Sequence, residues 1–320
     1  MIGRRGKVLI FLYVVFLAIL FLMCSTDLII REPERDSYQI AVIIEDVRGD
    51  NYSNFRKGMD QAAVEFNIDV HFITLYEKAD AEQQMELMDR EQQDGADALV
   101  VVPVDEERVT EKYVNVPAIF LRSGSPEGGG VDSIVTDYEK MGGMLAREML
   151  GDFGAQSQVL ILTDSEKRST MDLLFLKGAR TVFADEGYKI QEVMQEREND
   201  IREAMEALKA REGERVVLLA ENQELLAQAA GILADDPEIA KCVEGLYGRG
   251  NTMPILNYLD HGEITGICVT DDFSTGYLSV RAAIQALEDT DHSITVMDSY
   301  YIEKDDLRKP AWEKLLFPIE

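Results

Sequence analysis

Residues 38–66 read YQIAVIIEDVRGDNYSNFRKGMDQAAVEF, and their reading decides the fold. Ile40, Ala41, Val42, Ile43 and Ile44 form an unbroken apolar run, as a strand buried on both faces requires. A polar loop, residues 45–51, follows. Then Phe55, Met59, Ala62, Ala63 and Phe66 recur at helical spacing, so that one stripe can pack back onto the sheet. Strand, loop and helix make half of a βαβ unit, and ligands bind such sheets at the carboxyl ends of the strands. The loop 45–51 is therefore the first place to look for function.

The alternation repeats outward from this unit. Strands are expected at residues 69–75, 98–102, 117–121 and 133–136, with an acidic helix over 79–93. Residues 125–130 hold three consecutive glycines and read as a turn, since no GxxxxGK[ST] pattern is present. A helix carrying Met141, Leu145 and Met149 follows. The pattern then restarts, with strands at 158–162, 189–194, 215–220, 242–247 and 264–270. Helices are expected at 171–183, 200–210, 223–233, 253–259 and 275–287. Two successive doubly wound α/β sheets are implied, without a residue-level repeat between them.

Composition sets the bounds. The chain has 320 residues, 46% hydrophobic and 29% charged, which suits two globular domains. Its net charge is −28, and residues 1–31 hold four of the basic groups and one acidic. The remainder thus has 28 basic against 59 acidic residues, which argues against nucleic acid as a partner.

Arg4, Arg5 and Lys7 precede residues 8–23, which are all apolar, and no further charge occurs before Asp27. This is a signal sequence, an uncleaved anchor or a lipoprotein leader ending at Cys24. Met23 is large for the residue before a lipidated cysteine, so an uncleaved anchor is the favoured expectation. Each alternative places the rest outside the cell membrane, basic end inward, and the favoured anchor keeps it attached through its N-terminal segment. Residues 32–37 would be the tether.

Several stretches together carry a family resemblance: NYSNFRKGMDQAA from Asn51, DALVVVPVD from Asp97, DYEKMGGMLA from Asp137, LLFLKGARTVFADEGY from Leu173, AENQELLAQAAGIL from Ala220 and GYLSVRAAIQAL from Gly276. Over residues 38–287 the chain resembles the type 1 periplasmic binding proteins, specifically the ribose- and galactose-type sugar-binding proteins and the core of LacI-type regulators. The resemblance implies two parallel-sheet lobes joined by a three-strand hinge, with ligand in the cleft. Residues 38–136 and 271–292 would form lobe one, and residues 137–270 and 293–320 lobe two. It also implies a monomer without cofactor that passes a sugar to an ABC permease.

The family's pocket positions fall on particular residues here. Asn51 and Tyr52 match a polar residue and an aromatic beside the sugar, where a ring suits its C–H face and an amide its hydroxyls. Asp105 matches a strand-terminal aspartate that accepts sugar hydroxyls, although it could equally cap the next helix. Asn222 matches the first member of an Asn-Asp pair whose second member is Gln223. The resemblance places Phe175 where the family has an arginine, Tyr247 or Gly248 where it has an aspartate, and Thr270 where it has a glutamine. Such changes alter which ligand groups can be satisfied, so a different ligand is expected. Arg122, Arg168 and Arg249 lie on loops that could face the cleft, and Asp271 stands at the last crossing with Asp272.

No catalytic pattern emerges, so the chain is not expected to be an enzyme. His71, His261 and His292 are scattered, without HExxH or CxxC, and no metal is expected. Cys242 and Cys268 fall on strands expected to be neighbours and suit small buried hydrophobes. The sequence thus reads as a membrane-tethered solute-binding protein for a carbohydrate. The alternative is a ligand-sensing co-receptor for a membrane sensor kinase. A LacI-type repressor would need an N-terminal helix-turn-helix, and residues 1–31 are apolar instead.

Overall fold

A computed structural model describes residues 4–25, 37–124, 133–153, 158–164, 168–211, 216–289 and 294–318. The chain divides into two units, Met1–Ser37 and Tyr38–Glu320. In the first, α1 spans Arg4–Ser25, and its side chains at residues 11–19 and 21 are exposed. Over the described residues, no helix is long and apolar enough to cross a membrane. The side chain of Cys24, the tether up to residue 36 and the glycine turn at 125–130 lie outside the described residues.

The second unit begins with β1 (Gln39–Ile43), α2 (Ser53–Phe66), β2 (Asp69–Ile73) and α3 (Ala81–Gln93). There follow β3 (Ala98–Val101), α4 (Glu106–Thr110), β4 (Ala118–Arg122) and β5 (Ser133–Thr136). The chain then crosses into α5 (Tyr138–Asp152), β6 (Gln158–Thr163), α6 (Thr170–Asp185), β7 (Ile190–Met194) and α7 (Asp200–Ala207). Next come β8 (Val216–Ala220), α8 (Gln223–Asp235), α9 (Pro237–Ala240), β9 (Val243–Arg249), α10 (Met253–His261) and β10 (Gly266–Thr270). It ends with α11 (Asp272–Leu287), β11 (Thr295–Met297), β12 (Ser299–Glu303) and α12 (Pro310–Leu316).

The first sheet runs β11-β5-β4-β3-β1-β2 and is parallel throughout. The second runs β12-β10-β9-β8-β6-β7, with β12 antiparallel to β10. The continuous apolar run in β1 is explained by layers on both faces. Ile40 and Val42 pack with Phe55 and Met59 of α2 and Val280 of α11, while Ala41 and Ile43 pack with Leu87 and Met88 of α3. In lobe two, β6 divides likewise, with Leu160 and Leu162 on one side and Val159 and Ile161 on the other.

The chain passes between lobes after Thr136, after Thr270 and after Met297. The last passage falls later than expected. Residues 295–297 pair with β5 in the first sheet, and the second sheet gains the chain only from Ser299. A three-residue strand with Val296 half exposed carries too little apolar pattern to show which sheet edge it joins.

Each lobe has one helix pair in contact through glycines. A Cβ on Gly58 of α2 would meet Phe273 O at 1.9 Å, and one on Gly276 of α11 would meet Phe55 O at 2.0 Å. In lobe two, a Cβ on Gly142 of α5 would meet Phe175 O at 1.9 Å, and one on Gly178 of α6 Glu139 O at 1.8 Å. The same packing device thus occurs in both lobes although the sequences show no repeat.

Cys242 and Cys268 are free thiols. Their strands are neighbours, but Cys268 pairs in register with Arg249, seven residues along from Cys242, roughly 23 Å at strand rise.

Candidate functional site

The carboxyl ends of both sheets face one cavity of about 130 Å³. That volume exceeds by several-fold the roughly 10–15 Å³ one water requires, so it can admit a small molecule. Lobe one contributes Glu45, Asp46, Asn51 and Tyr52 after β1, Lys78 after β2, and Arg122 and Ser123 at the end of β4. Lobe two contributes Ser169, Met171 and Asp172 at the start of α6, Asn222 after β8, and Arg249 and Asn251 at the end of β9. The crossings supply Thr136, Tyr138, Thr270 and Asp272.

Five expected site residues line this cavity. Asn51 Nδ2 donates to Asp46 Oδ2 at 2.5 Å, and the Tyr52 hydroxyl donates to the Glu45 carboxylate. The Tyr52 ring stands edge-on to Phe55, centroids 5.7 Å apart, so it serves the loop packing as well as the cavity. Arg122 Nε donates to Glu106 Oε1 at 2.7 Å, and the other Glu106 oxygen accepts from the Ser123 amide at 2.7 Å. Asn222 caps α8 by accepting from the Leu225 amide at 3.0 Å, while its Nδ2 has no partner and is buried. Arg249 is buried, ion-paired with Asp172, and its guanidinium lies 5.3 Å from the Tyr138 ring centroid.

Four expected residues stand outside the lining. Asp105 caps α4, accepting from the Arg108 amide at 3.1 Å, and Asp271 caps α11, accepting from Ser274 N at 2.9 Å and Oγ at 2.6 Å. A cap carboxylate folds back onto the first helical turn, which turns it from the cleft. Arg168 pairs with the buried Glu221 at 3.2 Å. Phe175 is fully buried under the cavity, its ring centroid 5.8 Å from the Arg249 guanidinium. The helix position facing the cavity is Asp172, three residues earlier on the same face.

Tyr247 and Gly248 are likewise displaced from the lining. β9 extends to Arg249, two residues further than expected, so Arg249 and Asn251 occupy the strand end. Tyr247 points the other way, donating to Asp152 Oδ2 at 2.9 Å. Thr270 does reach the cavity and donates to Asp272 Oδ1 at 2.5 Å.

Glu45, Asp46, Lys78, Tyr138, Asp172 and Asn251 are among the lining groups the sequence reading did not assign to the pocket, and Asp272, placed there only at the last crossing, lines it too. Glu45 and Asp46 open the loop that the first strand had already marked. Burial, then the nearby Asp46, pushes the Glu45 carboxyl up to about 7. Burial also raises Asp272 and, against the pull of Arg249, the Tyr138 phenol. These groups are enclosed by protein where they line the cavity.

The lobes meet across the cleft. Arg48 Nη2 lies 2.6 Å from Glu224 Oε1, and Lys78 pairs with both Asp164 and Glu224. Deeper in, the Thr170 amide donates to Val104 O at 2.8 Å, and Thr170 Oγ1 accepts from the Glu106 amide at 2.9 Å. Ile44 and Val102 of lobe one pack with Met171 of lobe two. Among the described residues, no group of three or more His, Cys, Asp or Glu could hold a metal ion.

A family model described as a periplasmic binding protein domain matches residues 40–291. No curated protein sequence matches the chain. Among solved structures, a carbohydrate transporter solute-binding protein from Agrobacterium radiobacter in complex with D-arabinose is similar, at 17% identity and TM-score 0.74. That match covers 88% of this chain and 99% of that one. A glucose-galactose binding protein from Geobacillus stearothermophilus matches at 17% identity and TM-score 0.71, over 86% of this chain and 100% of that one. A putative LacI transcriptional regulator from Bacteroides fragilis matches at 13% identity and TM-score 0.71, over 85% and 98%. At these identities the likeness speaks to the fold, which is the two-lobed type 1 fold.

Proposed function

We propose a carbohydrate-binding role outside the cytoplasm for this chain, which belongs to the periplasmic binding protein domain family. The observation that supports it best is the buried Asn222 amide. Asn222 lines the interlobe cavity and its Nδ2 is buried without a partner, and an unmade hydrogen bond there is costly unless a ligand oxygen accepts it. Asn51 and Tyr52 stand across the cleft from it on the other lobe. A sugar held by both sides stabilises the closed arrangement by its differential affinity for that state.

The apolar stretch at residues 8–23 would hold the protein at the membrane, and closure would be read by an ABC permease. The second reading, a co-receptor for a sensor kinase, draws on the large residue before Cys24 and on the expected departures at Phe175, Tyr247 or Gly248, and Thr270, of which Thr270 lines the cavity. Intact-mass data test the attachment: retention of Met1 supports an anchor, and a lipid-modified first Cys24 replaces it.

A thermal-shift screen of monosaccharides tests the ligand class. Binding to the folded protein stabilises by RT ln(1 + [L]/Kd), about 2.7 kcal/mol at a hundredfold excess over Kd. At least one sugar should give such a shift. Shifts from amino acids or nucleosides alone would retire the carbohydrate reading.

A further inference from the structure

The charges lining the cavity do not balance. Its cations are Lys78, Arg122 and Arg249. Arg249 is engaged by Asp172, Lys78 by Asp164 and Glu224, and Arg122 by Glu106, which stands outside the lining. Three lining carboxylates, Glu45, Asp46 and Asp272, make no ion pair among the described residues. Each is held instead by a neutral donor: the Tyr52 hydroxyl, Asn51 Nδ2 and Thr270 Oγ1 respectively. Carboxylates enclosed together repel one another, and such a set is relieved by a proton or by a cation.

A second observation points to a ligand independently of that charge. Asn222 is 7% exposed, it lines the cavity, and its Nδ2 is buried with no acceptor. The cavity thus offers a neutral donor to a ligand oxygen on one side and uncompensated negative charge on the other. The Tyr52 and Tyr138 rings border the same space, and aromatic faces attract cations.

We infer that the ligand of this cleft is a hydroxylated molecule carrying a protonated amine, an amino sugar in preference to its neutral parent, with the ammonium seated against Glu45. The inference rests on the carbohydrate reading above and adds the charge. Glu45 is faced by Asp46 and Tyr52 from its own loop, by Tyr138 from α5, and by Asp172 and Arg249 from lobe two. Arg249 is the one cation in that set and is already paired. Burial and Asp46 hold the Glu45 carboxyl near neutrality. An ammonium ligand should therefore bind more tightly as pH rises from about 5.5 to about 7, as Glu45 loses its proton, by up to about tenfold.

Calorimetry on the full chain in detergent tests this with matched ligands. The pairs are D-glucose with D-glucosamine, D-galactose with D-galactosamine and D-mannose with D-mannosamine, the parent being the neutral control of nearly the same shape and the N-acetylated form a second, bulkier neutral control. In at least one set the amine should bind about tenfold or more tighter than both neutral forms, with the pH dependence above. Glu45→Gln, which keeps the shape and a hydrogen-bonding group, should abolish that preference. A neutral parent or N-acetyl form binding as tightly as the amine overturns the charge inference and leaves the carbohydrate reading standing. Binding of putrescine or choline with no response to any sugar overturns the carbohydrate reading, and the inference with it. Silence from all of them overturns both.

Discussion

The Arg249 guanidinium is ion-paired with Asp172, and the two side chains are each about 10% exposed, at the floor of the cleft between β9 and α6. The pair is more a structural necessity than a stabiliser. Two charges taken out of water recover about what they lose, whereas removing one partner strands the other. Asp172 would be stranded beside Glu45, whose own ionisation it already opposes.

Arg249→Met should therefore destabilise the protein by about 3–5 kcal/mol, read from urea unfolding. Adding Asp172→Asn should recover most of that loss, because the uncompensated charge goes with it. A single variant that loses less than about 1 kcal/mol would mean the cleft is wetter than the packing indicates.

Stability should also depend on pH with a definite sign. Glu45 and Glu221 are both raised from 4.5 to about 7, chiefly by burial, with Asp46 and Asp172 respectively as the next contributors. Between about 4.5 and 7 the folded state holds protons that the unfolded state has released. Stability contributed by these groups is thus present at the acid end and declines as pH rises through that window. Asp200, Asp236 and Asp306, lowered from 3.8, act below it and do not cancel the slope. Urea midpoints should fall from pH 5 to pH 7 and then level, and Glu45→Gln should flatten part of the fall. A midpoint that rises across the window contradicts the assignment.

Two glycines of one helix should respond oppositely to alanine. A Cβ at Gly142 would lie 1.9 Å from the Phe175 carbonyl, so α5 and α6 must separate, at about 1–3 kcal/mol or more. Nothing lies within 4 Å of a Cβ at Gly151, and alanine there should stabilise by up to about 1 kcal/mol. Gly142→Ala should weaken ligand binding too, because the Phe175 ring supports Arg249. Equal effects at the two sites would show that the helix contact is slack.

Much of this architecture was legible because buried parallel strands write themselves as apolar runs. Ile40–Ile44 and the repeating strand–helix alternation located both sheets. The thin strand at Thr295–Met297 was not legible, since three residues can serve either sheet edge. Placing Phe175 in the pocket was an error of one helical turn, as Asp172 three residues before it shares its face and reaches the cavity. Aspartates at strand ends were ambiguous for a different reason. Asp105 and Asp271 cap helices, while Asp272, one residue on, lines the cleft. The excess of negative charge in the cavity comes from residues far apart in sequence, such as Glu45 and Asp172, and arises only when the lobes meet.

The last prediction separates capping from binding at Asn222 and Asp105. Asn222 has two polar ends: its Oδ1 accepts from the Leu225 amide at 3.0 Å, and its Nδ2 is buried unpaired in a residue that lines the cavity. Alanine would remove both and confuse them. Asn222→Ser keeps an acceptor at the cap, where serine is as favourable as asparagine, and removes the amide donor without adding a charge to a buried acidic site. Its thermal stability should stay within about 1 kcal/mol of the parent, while ligand affinity falls by about tenfold or more, since a buried ligand oxygen loses its partner. Asp105→Ala is the complement. Its carboxylate caps α4 outside the cavity, so stability should drop by about 1 kcal/mol with ligand affinity unchanged. Calorimetry and melting on both variants read the two effects apart. If Asp105→Ala weakens binding while Asn222→Ser does not, the ligand sits nearer α4 than the cavity described above, and the site must be redrawn around that helix.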